Sequence, residues 1–154
     1  MKTLIVCFSY HHNNTSKLAS VFAKTLDAEI KTPAEVDQTG LCEYDLVGFG
    51  SGIYFGKHHK VLLDLVDKLP LMSDKKAFIF STSGQTGKTQ KFHQQLRERL
   101  QNKGYEVAGE FNCAGFDTYG LLRIGGGIKK GHPDEEDLKQ AEAFAQTLKQ
   151  PAIT

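Results

Sequence analysis

The sequence predicts an α/β protein with a three-layer, doubly wound architecture, in which helices cover both faces of a five-stranded parallel sheet. Short apolar runs alternate along the chain with longer segments whose apolar residues recur at helical spacing. The first run, residues 4–8, is continuously apolar, as is typical of a strand that is covered on both faces. Because helices separate consecutive strands, we expect right-handed crossovers and parallel pairing.

The predicted strands differ in length and regularity. The second is short and stops before Pro33, and the polar segment 33–44 that follows is too short for a crossover helix, so we expect one helical turn or less there. The last strand is interrupted at Gly109. The predicted strands span residues 4–8, 28–30, 45–50, 76–81 and 105–112.

Amphipathic segments predict the helices that connect these strands. The second helix stops at Pro70, and the third reaches about residue 103, where Gly104 favours a helix end. Pro133 suits the first position of the last helix, because its φ is fixed and it lacks a donor. The apolar stripes are Leu18, Val21, Phe22 and Leu26, then Val61, Leu62, Leu65, Val66 and Leu69, then Phe92, Leu96 and Leu100, and finally Ala141, Phe144, Ala145 and Leu148.

Length, charge and hydropathy narrow the classes of function. The 154 residues predict a single domain, residues 1–154, with an ordinary hydrophobic share of 40%. A net charge of +1 gives no electrostatic signature of nucleic-acid binding. No apolar run approaches the roughly 20 residues of a membrane span, and the N-terminus lacks the apolar run of a signal peptide. We therefore expect a cytoplasmic protein with no nucleic-acid partner and no membrane span.

The loop after the fourth strand ends like an ATP-binding P-loop. Ligands of doubly wound sheets bind beyond the carboxyl ends of the strands, which makes this loop a candidate site. It reads STSGQTGKT, with Gly87 and Lys88 in the positions of the P-loop glycine and lysine. A P-loop also needs glycine where Thr82 stands, because the backbone must wrap closely around the phosphates. We therefore predict a ligand-facing loop here that is not a nucleoside-triphosphate site.

The loop after the first strand, residues 9–16, is the better candidate for a phosphate. It leads directly into the first helix, whose N–H groups and dipole favour an anion. It is rich in hydroxyl and amide side chains and contains no lysine or carboxylate, so a phosphate would be held without a metal. The alternative is a plain turn in which Asn14 or Thr15 caps the helix.

The loop after the third strand, residues 51–57, combines glycines with the aromatic residues Tyr54 and Phe55. This composition suits a loop that covers a flat ring by stacking. The alternative is that Phe55 closes over the core. Together with the phosphate loop, this loop indicates a planar heterocycle with a phosphorylated tail.

The chain resembles short-chain members of the flavodoxin family over essentially its full length. The matching motifs are the loop from Ser9 to Thr15, GSGIYFGKHH after the third strand, STSG after the fourth, and GFDTYGLLRIGGGIKKGHPDEEDL before the last helix. The loop after the third strand also resembles that of flavodoxin-like protoporphyrinogen oxidases. The resemblance implies the flavodoxin-like strand order 2-1-3-4-5 and bound FMN.

The resemblance also implies which residues contact FMN. The phosphate would be held by Ser9, His11, Asn13, Asn14, Thr15 and Ser16. The isoalloxazine ring would be flanked by Ser51, Gly52, Ile53, Tyr54, Phe55 and Gly56 on one side, and by Thr82, Ser83, Gly84, Gln85, Thr86 and Gly87 on the other.

Three departures from the family pattern concern the same loops. The usual phosphate loop is one residue shorter and has glycine where Asn13 stands. The loop after the fourth strand lacks an aromatic residue, so Phe116 or Tyr119 is the candidate to cover the second ring face. Classical flavodoxins are strongly acidic, whereas this chain has a net charge of +1.

The leading functional hypothesis is an FMN-binding electron-transfer protein that serves redox partner proteins. The alternative is an FMN-dependent oxidoreductase that acts on a small redox substrate such as protoporphyrinogen, a quinone or NAD(P)H. A third possibility is a non-redox module that binds phosphate or a partner. No Cys–His or Ser–His–Asp set is evident in the sequence, so no catalytic residues are predicted.

Basic residues lie in or beside the candidate loops and lead to a redox hypothesis. Positive charge favours an anionic reduced flavin, so we predict a less negative second reduction potential than in acidic flavodoxins. The adjacent histidines are interpreted as exposed loop residues and no metal site is predicted, because no Cys or carboxylate cluster completes a ligand set. The basic residues are His11, His12, Lys57, His58, His59, Lys60 and Lys88.

Overall fold

The computed structural model describes residues 1–9, 14–85, 87–115 and 132–149. Strands and helices alternate within these ranges, as predicted. The strands are β1 (Thr3–Phe8), β2 (Glu29–Lys31), β3 (Leu46–Tyr54), β4 (Lys57–His58), β5 (Lys75–Ser83) and β6 (Tyr105–Ala114). The helices are α1 (Asn14–Leu26), α2 (Lys60–Asp67), α3 (Thr89–Asn102) and α4 (Glu135–Lys149). Two short 3-10 helices, Pro33–Glu35 and Gly40–Glu43, occupy the connection where at most one turn was expected.

The parallel sheet has the strand order β2-β1-β3-β5-β6. Since β5 and β6 are the fourth and fifth predicted strands, this order confirms the predicted 2-1-3-4-5 arrangement. Strand β4 was not predicted. It pairs antiparallel with the end of β3, with Ile53 opposite His58 and Tyr54 opposite Lys57. The β3–β4 hairpin therefore shapes the carboxyl edge of the sheet, where ligands of such folds bind.

The two faces of the sheet are packed with different side chains. Aliphatic residues such as Val47 and Ile79 face α2 and α3. Phenylalanines dominate the face under α1 and α4, where the ring centroids of Phe22 and Phe80 are 5.0 Å apart in edge contact. This aromatic face requires glycine on β3, because a Cβ at Gly50 would lie 2.2 Å from the Phe80 ring.

The predicted interruption of the last strand is a β-bulge. The register shifts from Ala77 opposite Val107 to Phe78 opposite Gly109, which leaves Ala108 without a partner. A Cβ at Gly109 would lie 2.9 Å from the Phe144 ring, so the glycine admits α4 close to the sheet. The bulge also sets which residues of β6 face α3 beyond it.

The ends of α3 and α4 agree with the sequence in one case and differ in the other. Helix α3 ends at Asn102, and Gly104 follows with a φ of +95°, as predicted for a terminating glycine. Helix α4 begins at Glu135, so placing Pro133 at its first position was wrong. Asp134 caps the helix instead, since its Oδ1 accepts from Asp137 N at 2.9 Å.

Among the described residues, no helix combines the length and apolarity that crossing a membrane requires.

Candidate functional site

The first turn of α1 lies at the carboxyl edge of the sheet, directly after β1. Helix α1 begins at Asn14, inside the predicted phosphate loop. Ser9 reaches this turn, because its Oγ accepts a hydrogen bond from Ser16 N at 3.3 Å. Ser9 thus satisfies one N–H group that the helix itself leaves without a partner. Of the other predicted phosphate ligands, His11 and Asn13 lie outside the described residues.

Two buried hydroxyl groups join α1 to β5. Thr15 Oγ1 and Thr82 Oγ1 are 2.9 Å apart, and the two residues are only 2% and 5% exposed. Gly115, just after β6, closes over the same place, since a Cβ there would lie 2.9 Å from Thr82 Cβ and 3.1 Å from Asn14 Nδ2. Small, uncharged polar groups from α1, β5 and the end of β6 therefore converge here.

The segment expected to form a loop after the third strand is mostly strand. The prediction ended the strand at Gly50, whereas antiparallel pairing with β4 extends β3 to Tyr54. The turn of this hairpin is left-handed, with φ values of 54° at Phe55 and 79° at Gly56. Phe55 is 92% exposed, so the alternative in which it closes over the core was wrong. Of the predicted ring contacts, Ser51, Gly52, Ile53 and Tyr54 lie in β3, and Phe55 and Gly56 form the turn.

The second predicted ring loop also begins inside a strand. Thr82 and Ser83 belong to β5, Gly84 and Gln85 follow it, and Thr86 lies outside the described residues. Gly87 has a φ of 85°, which favours glycine at that position. The register pairs Ser51 with Ser81 and Gly52 with Thr82, so both predicted ring segments leave the sheet side by side.

His59 lies just before α2, against the ends of β1 and β3, although it was not predicted as a site residue. Its ring centroid is 4.3 Å from that of Phe8 and 4.9 Å from that of Tyr54. Val61 N donates to His59 Nδ1 at 3.1 Å, which caps α2 and leaves the ring proton on Nε2. Burial lowers the pKa of His59. An uncharged aromatic cluster, Phe8, Tyr54 and His59, therefore marks the ends of β1 and β3.

His58 is buried, and the expectation that the adjacent histidines are exposed was wrong for this residue. The side chain is 1% exposed, and its Nε2–H donates to the carbonyl oxygen of Phe80 at 3.0 Å. Burial, followed by the neighbouring His93, lowers the pKa of His58 to about 3. His58 is therefore uncharged near neutral pH and contributes nothing to the basic set that motivated the redox hypothesis. Its Nδ1 has no hydrogen-bond partner in the described part of the chain.

A polar network that the sequence analysis did not predict lies beside His58, under α3. His93 is fully buried, with Nε2 2.6 Å from Ser81 Oγ and Nδ1 2.9 Å from Glu110 Oε1. Arg97 donates from both Nε and a terminal nitrogen to Glu110, at 2.7 Å and 2.8 Å. Burial would raise the pKa of the Glu110 carboxyl, but the hydrogen bonds from His93 and Arg97 outweigh it and hold the pKa at about 2.

The network contains the serine, histidine and carboxylate of a hydrolytic triad, which the sequence did not reveal. Ser81 is fully buried near the carboxyl end of β5, and its hydroxyl is hydrogen-bonded to His93 and Asn112. A triad acts by presenting its hydroxyl to a substrate carbonyl, and no substrate reaches this one. We therefore interpret the set as structural. The signal in the sequence was a histidine at a core position of α3, where Phe92 and Leu96 predicted only apolar contacts.

A second cluster of potential ligands lies before α4. His132 Nδ1 is 2.5 Å from Asp137 Oδ2 and 3.6 Å from Asp134 Oδ2, and these residues form the only group in the described residues with the spacing of a metal site. The carboxylate of each aspartate also accepts a hydrogen bond from the backbone N–H of the other, and these two bonds cap α4. Capping and pairing within the cluster account for all three side chains.

Comparisons with known proteins place the whole chain in one structural context. A family model described as a flavodoxin domain matches residues 5–136. An uncharacterised protein of Methanocaldococcus jannaschii is 47% identical over 148 residues, covering 96% of this chain and 98% of that protein. The crystal structure of oxidised flavodoxin 2 from Bacillus cereus superposes with a TM-score of 0.70 at 20% identity, covering 95% of this chain and 96% of that one. Oxidised flavodoxin 1 from the same organism gives a TM-score of 0.67 at 19% identity, covering 98% and 100%.

Proposed function

Since the chain belongs to the flavodoxin family, we propose that it binds FMN at the carboxyl edge of the sheet and transfers electrons between redox partners. The observation that carries the proposal is the contact of Thr15 with Thr82, which holds the start of α1 against the end of β5. This contact supports the proposal, because a phosphate site at the start of α1 and a ring site at the end of β5 would then be adjacent, as a single ligand with both groups requires.

The start of α1 would hold the phosphate. A helix N-terminus offers N–H groups and a positive dipole to an anion. The described residues that would surround it are polar and uncharged: Ser9, Asn14, Thr15 and Ser16. Gly115 supports this fit, because a side chain at that position would fill the space beside Thr82 and Asn14. Hydrogen bonds from these groups and the helix dipole would stabilise the phosphate dianion without a bound metal.

The β3–β4 hairpin and the end of β5 would flank the ring of the cofactor. Phe55 stands 92% exposed on a left-handed turn, so its ring is available to cover a flat ligand. Tyr54 and His59 add an aromatic, uncharged surface next to it. When bound, FMN supplies the capacity to accept and release one or two electrons, and the protein contributes position, shielding from water and charge.

Calorimetry with FMN and riboflavin tests both halves of the site. We expect FMN to bind more tightly than riboflavin by about tenfold or more, because only FMN reaches the donors of α1. Phe55→Ala should weaken both ligands by the same factor, since it removes a ring contact and leaves the phosphate site intact. Val61→Ala is the matched control on a nearby exposed side chain. Absence of FMN uptake by the folded protein would refute the proposal.

Steady-state assays separate the carrier from the alternative enzyme. A carrier should exchange electrons with one-electron donors and acceptors and should oxidise NADH, NADPH or a quinol only slowly. Rapid turnover of one of these small molecules by the loaded protein would assign an oxidoreductase instead. This outcome would leave the FMN site in place and change only the assigned role.

A further inference from the structure

A continuous series of hydrogen bonds links Arg97 on α3 to the loop that follows β5. Its outer end is the pair of Arg97 with Glu110, and its buried centre is His93 with Ser81. Beyond Ser81, the side-chain amide of Asn112 donates to Ser81 Oγ at 2.7 Å and to Ser83 Oγ at 3.3 Å.

The series of hydrogen bonds ends on the backbone of the loop after β5, which was predicted to flank the ring. Ser83, the last residue of β5, donates its hydroxyl proton to the carbonyl oxygen of Gln85. This bond closes a short turn around Gly84. The backbone around Gly84 is therefore linked, through the side chains of four residues, to the ion pair of Arg97 with Glu110 between α3 and β6.

The directions of these bonds are mutually consistent. The Asn112 amide faces the carbonyl oxygen of Ser81 as well as its hydroxyl, and this carbonyl requires the nitrogen side of the amide. Ser81 Oγ thus accepts a hydrogen bond from Asn112 Nδ2 and donates one to His93 Nε2. The proton of His93 is then on Nδ1, where Glu110 accepts it. The two protons of the Asn112 amide share three acceptors, whereas the hydroxyl protons of Ser81 and Ser83 and the ring proton of His93 have one acceptor each. A buried polar network whose groups are all satisfied in this way favours a single geometry.

Packing alone does not explain this network. The adjoining positions of the same face, such as Ile79 and Leu96, are filled by fully buried apolar side chains. Apolar residues at Ser81 and His93 would avoid the cost of burying polar groups, which is offset only when every group is satisfied. Ser81 lies near the carboxyl end of β5, so the network is next to the candidate site.

We propose that the series Glu110–His93–Ser81–Asn112–Ser83 fixes the conformation of the loop after β5, and that His93 is a positioning residue for the cofactor. This inference rests on the proposed function, since the loop is the segment expected to flank the flavin ring. The network sets how tightly the ring is held and the reduction potential at which it works. His58 assists from β4, with its ring centroid 4.9 Å from that of His93.

Two substitutions at the same position separate the two halves of the network. His93→Asn keeps a donor at the position of Nδ1 for Glu110 but is too short to reach Ser81. His93→Gln keeps an acceptor at the position of Nε2 for Ser81. We expect His93→Asn and Ser81→Ala each to raise the FMN dissociation constant about tenfold and to shift its midpoint potential, whereas His93→Gln stays within about threefold of the wild type.

The double variant and a matched control exclude a general loss of stability. Because both substitutions cut the same series, Ser81→Ala with His93→Asn should weaken FMN binding no more than either one alone. Leu100→Val removes one buried methylene group near the C-terminal end of α3, away from the candidate site. It should lower stability and leave the FMN dissociation constant unchanged. Additive losses, or an equal loss from Leu100→Val, would overturn the proposal.

Measurements without cofactor distinguish failure of this inference from failure of the proposed function. In the cofactor-free protein, His93→Asn should move the NMR signals of the Ser83, Gly84 and Gln85 amides, and nitrogen shifts of the His93 ring should show a proton on Nδ1. A proton on Nε2 would reverse the assigned series and refute it. If the wild type binds no FMN, the cofactor assignment fails on its own evidence. If it binds FMN and His93→Asn changes neither affinity nor potential, only this inference fails.

Discussion

The two faces of the sheet end differently at the carboxyl edge. Under α1 and α4, an aromatic core is followed by one pair of neutral hydroxyls, Thr15 with Thr82. Under α3, an aliphatic core is followed by imidazole, carboxylate and guanidinium groups around His93. Consecutive residues of one strand, Ser81 and Thr82, therefore serve two unlike polar sites, because successive side chains of a strand point to opposite faces.

The difference assigns separate tasks to the two faces. A phosphate needs donors that are already free of competing charge, and short hydroxyl side chains beside a helix start provide them. A loop that flanks a ring needs a fixed backbone, which a satisfied network of buried hydrogen bonds provides. Each face combines an apolar part that supplies stability with a polar end that shapes the site.

The largest expected effect concerns the apolar part of the comparison. Phe80→Ala should lower the free energy of unfolding by about 3–5 kcal/mol, because the fully buried ring fills the space above Gly50 and beside Phe22. Ile79→Val, on the opposite face of the same strand, should cost about 0.5–1.5 kcal/mol. Chemical denaturation measures both, and a loss below that of Ile79→Val would show that the aromatic face is loosely packed.

A smaller effect, about 2 kcal/mol, is expected from pH and concerns the face under α3. The pKa of His58 falls from its ordinary 6.5 to about 3 on folding, so the unfolded chain binds a proton first as the pH drops. The contribution of neutral His58 to stability is fully present well above its unfolded pKa of 6.5, and the free energy of unfolding should fall by about 2 kcal/mol between about pH 7.5 and about pH 5. The Glu110 carboxyl, with its pKa at about 2, adds a further loss only below its ordinary 4.5.

His58→Leu tests this assignment without confusion from packing. The free energy of unfolding of the variant is compared between about pH 7.5 and about pH 5. A loss of packing that is the same at both pH values cancels from this difference. The slope of unfolding free energy against pH should flatten over this window, because leucine takes up no proton. An unchanged slope would show that another group controls the acid sensitivity and that the burial of His58 is not its cause.

Sequence predicted the architecture far better than it predicted the polar ends of the faces. Helical and strand periodicity located the four α-helices and every strand except β4, because a two-residue strand is too short to produce a pattern. The predicted loops began too early at Ser51 and Thr82, which belong to β3 and β5. Pairing between β3, β4 and β5 decides where these strands end, and the sequence pattern of one strand does not show it. His58 and His93 were missed because burial depends on contacts between distant segments, and a histidine in a polar stretch predicts exposure.

The next effect, at the hydroxyl pair under α1, is expected to be about 1 kcal/mol. Thr82→Val keeps the shape of the side chain but removes the partner of Thr15, and a buried neutral hydrogen bond contributes about 0.5–1.5 kcal/mol. Thr82→Ser keeps the hydroxyl and serves as the control. FMN affinity should fall more than riboflavin affinity in the valine variant, because the contact positions the helix start that would hold the phosphate. Equal losses for both ligands would place Thr82 at the ring instead.

The smallest effect is expected at the exposed basic rim, outside both faces. Lys60 Nζ lies 2.9 Å from Asp64 Oδ2, with side chains 82% and 45% exposed, and such pairs contribute little because water and salt screen them. Lys60→Ala should therefore leave the free energy of unfolding nearly unchanged in chemical denaturation, and Asp64→Ala should do the same.

The ion pair with Asp64 also offsets the charge of Lys60, and His58 is uncharged. If positive charge raises the potential of the proposed flavin, it must therefore come from other members of the basic set, among which Lys57 and Lys88 are the described lysines. Lys88→Gln should shift the midpoint potential to a more negative value, whereas Lys60→Gln should shift it less. A larger shift from Lys60→Gln would show that the ion pair is open in solution.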